Sequence, residues 1–170
     1  GGMCKGSGMI EPNMATMLGF ITTDAAVTPA LLRRALRRAV AVSFNHVVVD
    51  GDESTNDSVF LLASGAAGNA VIDKPGDDFE AFVEALTAVG VALAKQMAAD
   101  GEGATKYVEV RVVNAKTQRD ADRAARAIAK SPLAKTSWFG KDPNWGRVLA
   151  AAGYSGAQVD DRAAEVFYGR

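Results

Sequence analysis

Thr16-Met17-Leu18-Gly19-Phe20-Ile21-Thr22-Thr23, followed from Thr28-Pro29 by Ala30-Leu31-Leu32-Arg33-Arg34-Ala35-Leu36-Arg37-Arg38-Ala39-Val40, decides the fold class. The unbroken apolar run from Met17 to Ile21 reads as a buried strand that begins near Thr16. Thr28 supplies an N-cap, and Pro29 stands at the first helical position, where a missing N–H costs nothing. Leu31, Leu32, Ala35, Leu36, Ala39, Val40 and Val42 then recur at helical spacing. A strand that feeds an amphipathic helix makes this an α+β (mixed α/β) chain.

The rest of the chain extends the same alternation. Gly1 to Gly8 is a glycine-rich loop, and Val47-Val48-Val49 reads as a short strand entering the polar turn Asp50-Gly51-Asp52-Glu53-Ser54-Thr55-Asn56-Asp57. Ser58 to Ala63 is apolar, and its periodicity leaves strand and helix open. Asp77 to about Ala99 is a long helix, with acidic residues at its start and Lys95 near its end as the macrodipole favours. Tyr107 to Val113 alternates like a half-buried strand, Thr117 to Lys130 is a helix capped by Thr117 and Asp120, and Asp142-Pro143 opens another that runs to Ala152. The tail from Ala164 to Arg170 reads as a strand just begun, and Gly1-Gly2 is no initiator methionine, so both ends read as those of a fragment. The composition shift after Gly103 is the best candidate boundary.

Composition narrows the functional classes. At 48% hydrophobic and 23% charged residues over 170 positions, the chain is of ordinary globular type and long enough for a core without staples. A net charge of −1, from 19 basic and 20 acidic residues, gives no electrostatic reason to expect nucleic acid or an anionic membrane as partner. The basic stripe Arg33, Arg34, Arg37, Arg38 has no interleaved aromatics and reads as a solvated helix face. Cys4 is the one cysteine and His46 the one histidine. An internal disulfide, a protein-only zinc site and a Ser-His-Asp triad would therefore all lack members, and neither metal nor cofactor is expected. The single cysteine, with no signal peptide and no uninterrupted apolar span, points to the cytoplasm.

Two tempting motifs fail on order. The opening has Lys5 before Gly6-Ser7-Gly8, whereas a phosphate loop needs Gly-Lys-Ser/Thr leading into a helix. The acidic turn has Thr55 where a calcium loop needs glycine, and Leu61 where it needs its bidentate glutamate. What remains is Thr16, a hydroxyl at the junction of a polar loop and a buried strand. If the Ala15/Thr16 bond were cut, that residue would carry both a nucleophile and an α-amine of reference pKa about 7.7–8.0, which serves as base without histidine. Equally, it is an ordinary first residue of a strand in a non-catalytic domain. Lys5 likewise reads as a surface lysine, and Glu102 as a carboxylate in a turn.

The wording around these residues decides among the readings. Lys5-Gly6-Ser7-Gly8-Met9-Ile10-Glu11-Pro12-Asn13-Met14-Ala15-Thr16-Met17-Leu18, with Thr22-Thr23-Asp24-Ala25, resembles the self-cleavage region of the ornithine acetyltransferase family of arginine biosynthesis. The resemblance continues through Asp50-Gly51-Asp52, Ser54-Thr55-Asn56-Asp57, Gly101-Glu102-Gly103-Ala104-Thr105-Lys106 and Phe139-Gly140 with Asp142-Pro143-Asn144-Trp145-Gly146-Arg147, in family order. It implies a layered α/β/β/α sandwich, incomplete here at both ends. Residues 1–104 would form the active-site part and 105–170 a smaller α+β subdomain.

It further implies a precursor that cleaves itself between Ala15 and Thr16, leaving Thr16 as catalytic nucleophile at the head of its own chain. That chain would pair with the α chain of the same precursor, as a heterotetramer of two α and two β chains. The implied reaction moves an acetyl group from N2-acetyl-L-ornithine to L-glutamate through an acetyl-threonine intermediate, with acetyl-CoA as a donor for some members. Lys5, Thr16 and Glu102 match the family's substrate-binding positions. A self-processing N-terminal-nucleophile aminopeptidase or amidase is the alternative. Family members reach well beyond both ends of this chain, and their oxyanion-hole Thr-Gly pair lies upstream. Each missing donor typically costs about 2.7–4 kcal/mol, so negligible activity is expected of these residues alone.

Overall fold

The computed structural model describes residues 1–11, 17–52 and 54–169. The chain divides into two compact units, Gly1–Gly103 and Ala104–Arg170.

The first unit is built on a three-stranded sheet in the order β1-β2-β3, with β1 Gly2–Lys5, β2 Leu18–Thr23 and β3 Ser58–Ala63. β1 runs antiparallel to β2, with Lys5 opposite Leu18, and β2 runs parallel to β3, with Leu18 opposite Ser58. The ends of these pairings put the C-terminus of β1 and the N-termini of β2 and β3 at the same end of the sheet. The parallel pair needs a long crossover, and α1 (Pro29–Ala41) lies within it. α2 (Asp77–Ala99) packs along α1 and reaches under β1.

Period-two alternation sorts the sheet's faces. Gly19 and Ile21 point inward, while Phe20 points outward and stacks on Phe60, ring centroids 5.2 Å apart. Phe20, Phe60, Leu62 and Met3 are all exposed apolar side chains. On the helix side, Leu31, Ala35 and Ala39 of α1 meet Phe79, Val83, Leu86, Leu93 and Met97 of α2 in a single core that also holds Ile10, Met17, Ile21, Phe44 and Val47. Gly90 lets α2 approach the end of α1: a Cβ there would stand 2.9 Å from the Ser43 hydroxyl, which already donates to the Ala39 carbonyl. By length and composition α2 could cross a membrane, but one face of it is buried against this core. The basic stripe of α1 is partly engaged: Arg38 grips Glu80 through two bonds of 2.8 and 2.7 Å, and Arg34 and Arg38 sit over the Phe79 ring.

The second unit contains α3 (Gln118–Lys130), α4 (Pro132–Phe139) and α5 (Trp145–Gly153), with Ile128, Ala151 and Ala152 buried against Val110, Val112, Trp138 and Val148. Thr117 accepts from the Asp120 amide at 3.1 Å, the bond of an N-cap, and its hydroxyl donates to the Asp120 carboxylate at 2.8 Å. Lys106 donates to the Phe139 carbonyl at 2.8 Å across the ring of the same residue. Arg147 ties α5 to α4 through the Leu133 carbonyl and the Thr136 hydroxyl, both at 3.0 Å.

Several local expectations are corrected. Gly2 to Lys5 is a strand, not a loop, because β2 supplies its ladder. Ser58 to Ala63, open by periodicity, is a strand paired with β2. Val47 to Val49 is not a strand: it follows a 3₁₀ turn at Phe44–His46, and the Val49 amide donates to the Ile10 carbonyl at 2.7 Å without forming a ladder. Tyr107 to Val113 and residues 164–169 likewise have no ladder partner among the described residues. α5 starts at Trp145, not at Pro143, because Asn144 and not Asp142 accepts from the first turn, at the Arg147 amide. α4 is an additional helix that periodicity does not announce; Ser131 caps it and Pro132 opens it.

Candidate active site

Three segments converge at the end of the sheet where β1 finishes and β2 and β3 start. The first is the glycine loop after β1. Met9 takes a left-handed backbone conformation, φ 54°, costly for a residue with a Cβ. Asp50 holds it there: one carboxylate oxygen accepts the Met9 amide at 2.5 Å, the other the Ile10 amide at 3.0 Å and the Asp52 amide at 3.1 Å. Burial pushes the Asp50 carboxyl up, but the amides of Asp52, Met9 and Ile10 together outweigh it and hold it below its ordinary value.

That shift fixes the sign of a prediction. A carboxyl depressed in the fold stabilises it above the unfolded value of about 3.9 and stops doing so as pH falls through the lower folded value. Asp50→Ala is expected to cost about 1–2 kcal/mol at pH 7, the range for an exposed charged acceptor. The gap between the urea midpoints of the two proteins should close towards pH 2. An equal gap at both pH values contradicts this account.

The second segment is the turn after α2. The Glu102 amide donates to the Ser7 carbonyl at 2.5 Å, and a Cβ on Gly8 would stand 2.9 Å from a Glu102 carboxylate oxygen and 3.7 Å from Asp50. A side chain at position 8 would push the Glu102 carboxylate away from this loop.

The third is the residue pair leading into the parallel strands. Asp57, just before β3, accepts the amide of Met17, just before β2. Its other oxygen is buried and has no hydrogen-bond partner among the described residues. Burial pushes the Asp57 carboxyl above its ordinary value, against the pulls of the Met17 amide and of the nearby Lys5 charge.

The structure therefore brings Glu102 against the Gly6–Gly8 loop and puts Lys5 within electrostatic reach of Asp57. Ala15 and Thr16 lie outside the described residues. Sequence reasoning takes Asp50 and Asp57 only as parts of a polar turn; the signal is a carboxylate at each end of that turn, next to Val49 and to Ser58. A shallow depression lined by Thr22, Thr23, Leu62, Ala63 and Ser64 lies at the opposite end of the sheet and has no part in this cluster. Among the described residues, no group of three or more His, Cys, Asp or Glu side chains is placed to hold a metal ion.

Known proteins extend the picture. The family described as the ArgJ family matches residues 1–170. A protein of Symbiobacterium thermophilum named arginine biosynthesis bifunctional protein ArgJ is 59% identical over 169 residues, covering 99% of this chain and 42% of that protein. One of the same name from Geobacter sulfurreducens is 54% identical over 167 residues, covering 98% and 42%. The chain thus spans 42% of the length of these curated relatives. The crystal structure of arginine biosynthesis bifunctional protein ArgJ from Bacillus halodurans superposes with a TM-score of 0.82 at 46% identity, covering 85% of this chain and 68% of that one.

Proposed function

This chain belongs to the ArgJ family, and from that premise we propose that it is the part of a cytoplasmic arginine-biosynthesis acetyltransferase that carries the nucleophile. The reading supposes self-cleavage between Ala15 and Thr16 and assembly with the α chain of the same precursor, as two α and two β chains. The exposed apolar face of Phe20, Phe60 and Leu62 suits burial under a further layer of that assembly.

Each half-reaction balances on groups of this chain. The Thr16 hydroxyl attacks the acetyl carbonyl of N-acetylornithine while its α-amine takes the hydroxyl proton. The C–N bond breaks, and the proton goes to the departing ornithine amine. The amine of glutamate then attacks the acetyl-threonine ester, the C–O bond breaks, and a proton returns to the threonine oxygen. Acetyl-CoA would enter by the same ester. Lys5 has the charge to hold a substrate carboxylate and Glu102 the charge to hold an amino-acid ammonium.

The observation that carries the reading is the convergence of Lys5, the glycine loop with Glu102, and Asp57 on the sheet end where β2 begins, two residues after Thr16. The test is ornithine release from N-acetylornithine by the full-length enzyme. Release at full rate only with glutamate, giving N-acetylglutamate, supports the transferase; equal release without glutamate means the acyl group goes to water, as in an aminopeptidase or amidase. Lys5→Ala and Glu102→Ala are each expected to raise KM by about 10- to 100-fold, the 1.5–3 kcal/mol of a charge-assisted bond, with the melting temperature held. Wild-type kinetics in both would remove these two residues from the site.

A further inference from the structure

We propose that Asp50 is a positioning residue for Glu102: it holds the loop of residues 7–10 in the conformation that seats the Glu102 carboxylate over Gly8, aimed at the ammonium group of a substrate. The inference rests on the reading of Glu102 as a substrate-binding carboxylate and names what aims it.

The loop is tied at both ends. At the far end Ile10, fully buried, donates its amide to Asp50 at 3.0 Å and accepts the Val49 amide at its carbonyl at 2.7 Å. At the near end the Ser7 carbonyl accepts the Glu102 amide at 2.5 Å. Gly8 stands between two carboxylates, since a Cβ there would lie 2.9 Å from Glu102 Oε2 and 3.7 Å from Asp50 Oδ2. The turn that carries Glu102 also leans on the segment that carries Asp50: a Cβ on Gly101 would meet Val49 Cγ1 at 3.1 Å. Loop, acidic turn and Glu102 turn thus touch pairwise, and the place of each depends on the other two.

Met9 is the part with two settings. Its φ of 54° is one that a residue with a Cβ seldom adopts, and its amide is held there by Asp50 Oδ2 at 2.5 Å. The clasp needs both carboxylate oxygens, Oδ2 for Met9 and Oδ1 for Ile10 and Asp52. Asparagine has one acceptor oxygen and would turn an NH₂ group towards an amide N–H, donor against donor. Once released, Met9 relaxes to negative φ, which swings Ser7 and Gly8, the stretch against which Glu102 rests. Glu102 then keeps its charge and loses its seat. A carboxylate that binds an ammonium without reacting serves ground state and transition state alike, so the loss falls on KM and not on kcat. Asp50 acts through the loop, its oxygens being engaged by three amides.

The test measures KM and kcat for N-acetylornithine at saturating glutamate in the full-length enzyme, comparing Asp50→Asn, Glu102→Ala and the double variant. Asp50→Asn is expected to raise KM roughly 5- to 20-fold with kcat within about threefold of wild type, because the carboxylate is misplaced and not deleted. On the Glu102→Ala background the same change should add less than about twofold, since no carboxylate is left to place. Adding Met9→Gly to Asp50→Asn should recover most of KM, because glycine adopts positive φ unaided. A wild-type KM in Asp50→Asn, with only the melting temperature lowered, overturns the proposal. So does an effect of undiminished size on the Glu102→Ala background, or no recovery with Met9→Gly. If Asp50→Asn does not fold, Asp50→Ser takes its place in the same comparison: it keeps the turn bond to the Asp52 amide but cannot reach Met9 and Ile10 together. Glu102→Ala separates the two layers. A wild-type KM there sinks the substrate-binding reading of Glu102, whereas a raised KM there beside a wild-type KM in Asp50→Asn sinks this inference alone.

Discussion

Thr16→Ala in the full-length protein is expected to leave a single uncut chain by intact mass and to lower glutamate-dependent ornithine release by on the order of 10⁴-fold or more, the scale on which nucleophile deletions act. Two losses coincide in one substitution. The hydroxyl that forms the ester is gone, and without it the peptide bond before residue 16 is not broken, so the amine that would act as base stays an amide nitrogen with no basic lone pair. Thr16→Ser separates them: a hydroxyl without the methyl group should still cut and still turn over, more slowly. The amine also sets a pH signature. Because the base works only when neutral, kcat/KM should rise through the reference range of about 7.7–8.0. An uncut wild-type protein that is nonetheless active would show that residue 16 is simply the approach to a strand.

Elements with local causes are legible in the amino-acid sequence. α1 follows from Thr28-Pro29 and its apolar stripe, α2 from an acidic start that the macrodipole rewards, and α3 from the Thr117 cap. The failures share a cause of the opposite kind. Gly2 to Lys5 has no periodicity to read, and it is a strand only because Leu18 to Ile21 offers it a ladder. Val47-Val48-Val49 has the β-branched composition of a strand but no partner running alongside it. α4 has eight residues, and its Ser131-Pro132 start directly follows the last residue of α3, so two helices read as one helix and a tail. The site divides in the same way. Lys5, Thr16 and Glu102 are proposed from the wording of the family, whereas the work of Asp50 and Asp57 depends on amides about 40 positions upstream, which no local pattern encodes. A carboxylate that serves distant backbone looks, in sequence, like any solvated turn.

The same non-local packing makes Phe44 the most consequential core residue outside the site. Its 3₁₀ turn follows α1 by two residues, and its ring is 1% exposed. It fills the space between β2 and α2: a Cβ on Gly19 would meet the ring at 3.5 Å and one on Gly90 at 4.0 Å. Phe44→Ala therefore removes packing from a sheet strand and a helix at once. The expected loss is about 3–5 kcal/mol, transfer and cavity terms together, read as a lower urea midpoint at unchanged slope. Phe44→Leu should recover most of it. Gly19 is only three residues after Thr16, so if Thr16 is the nucleophile as proposed, the cavity opens behind the strand that follows it in the chain, and the alanine variant should lose turnover at temperatures well below its unfolding midpoint. A cost under about 1 kcal/mol would mean that β2 and α2 close over the gap.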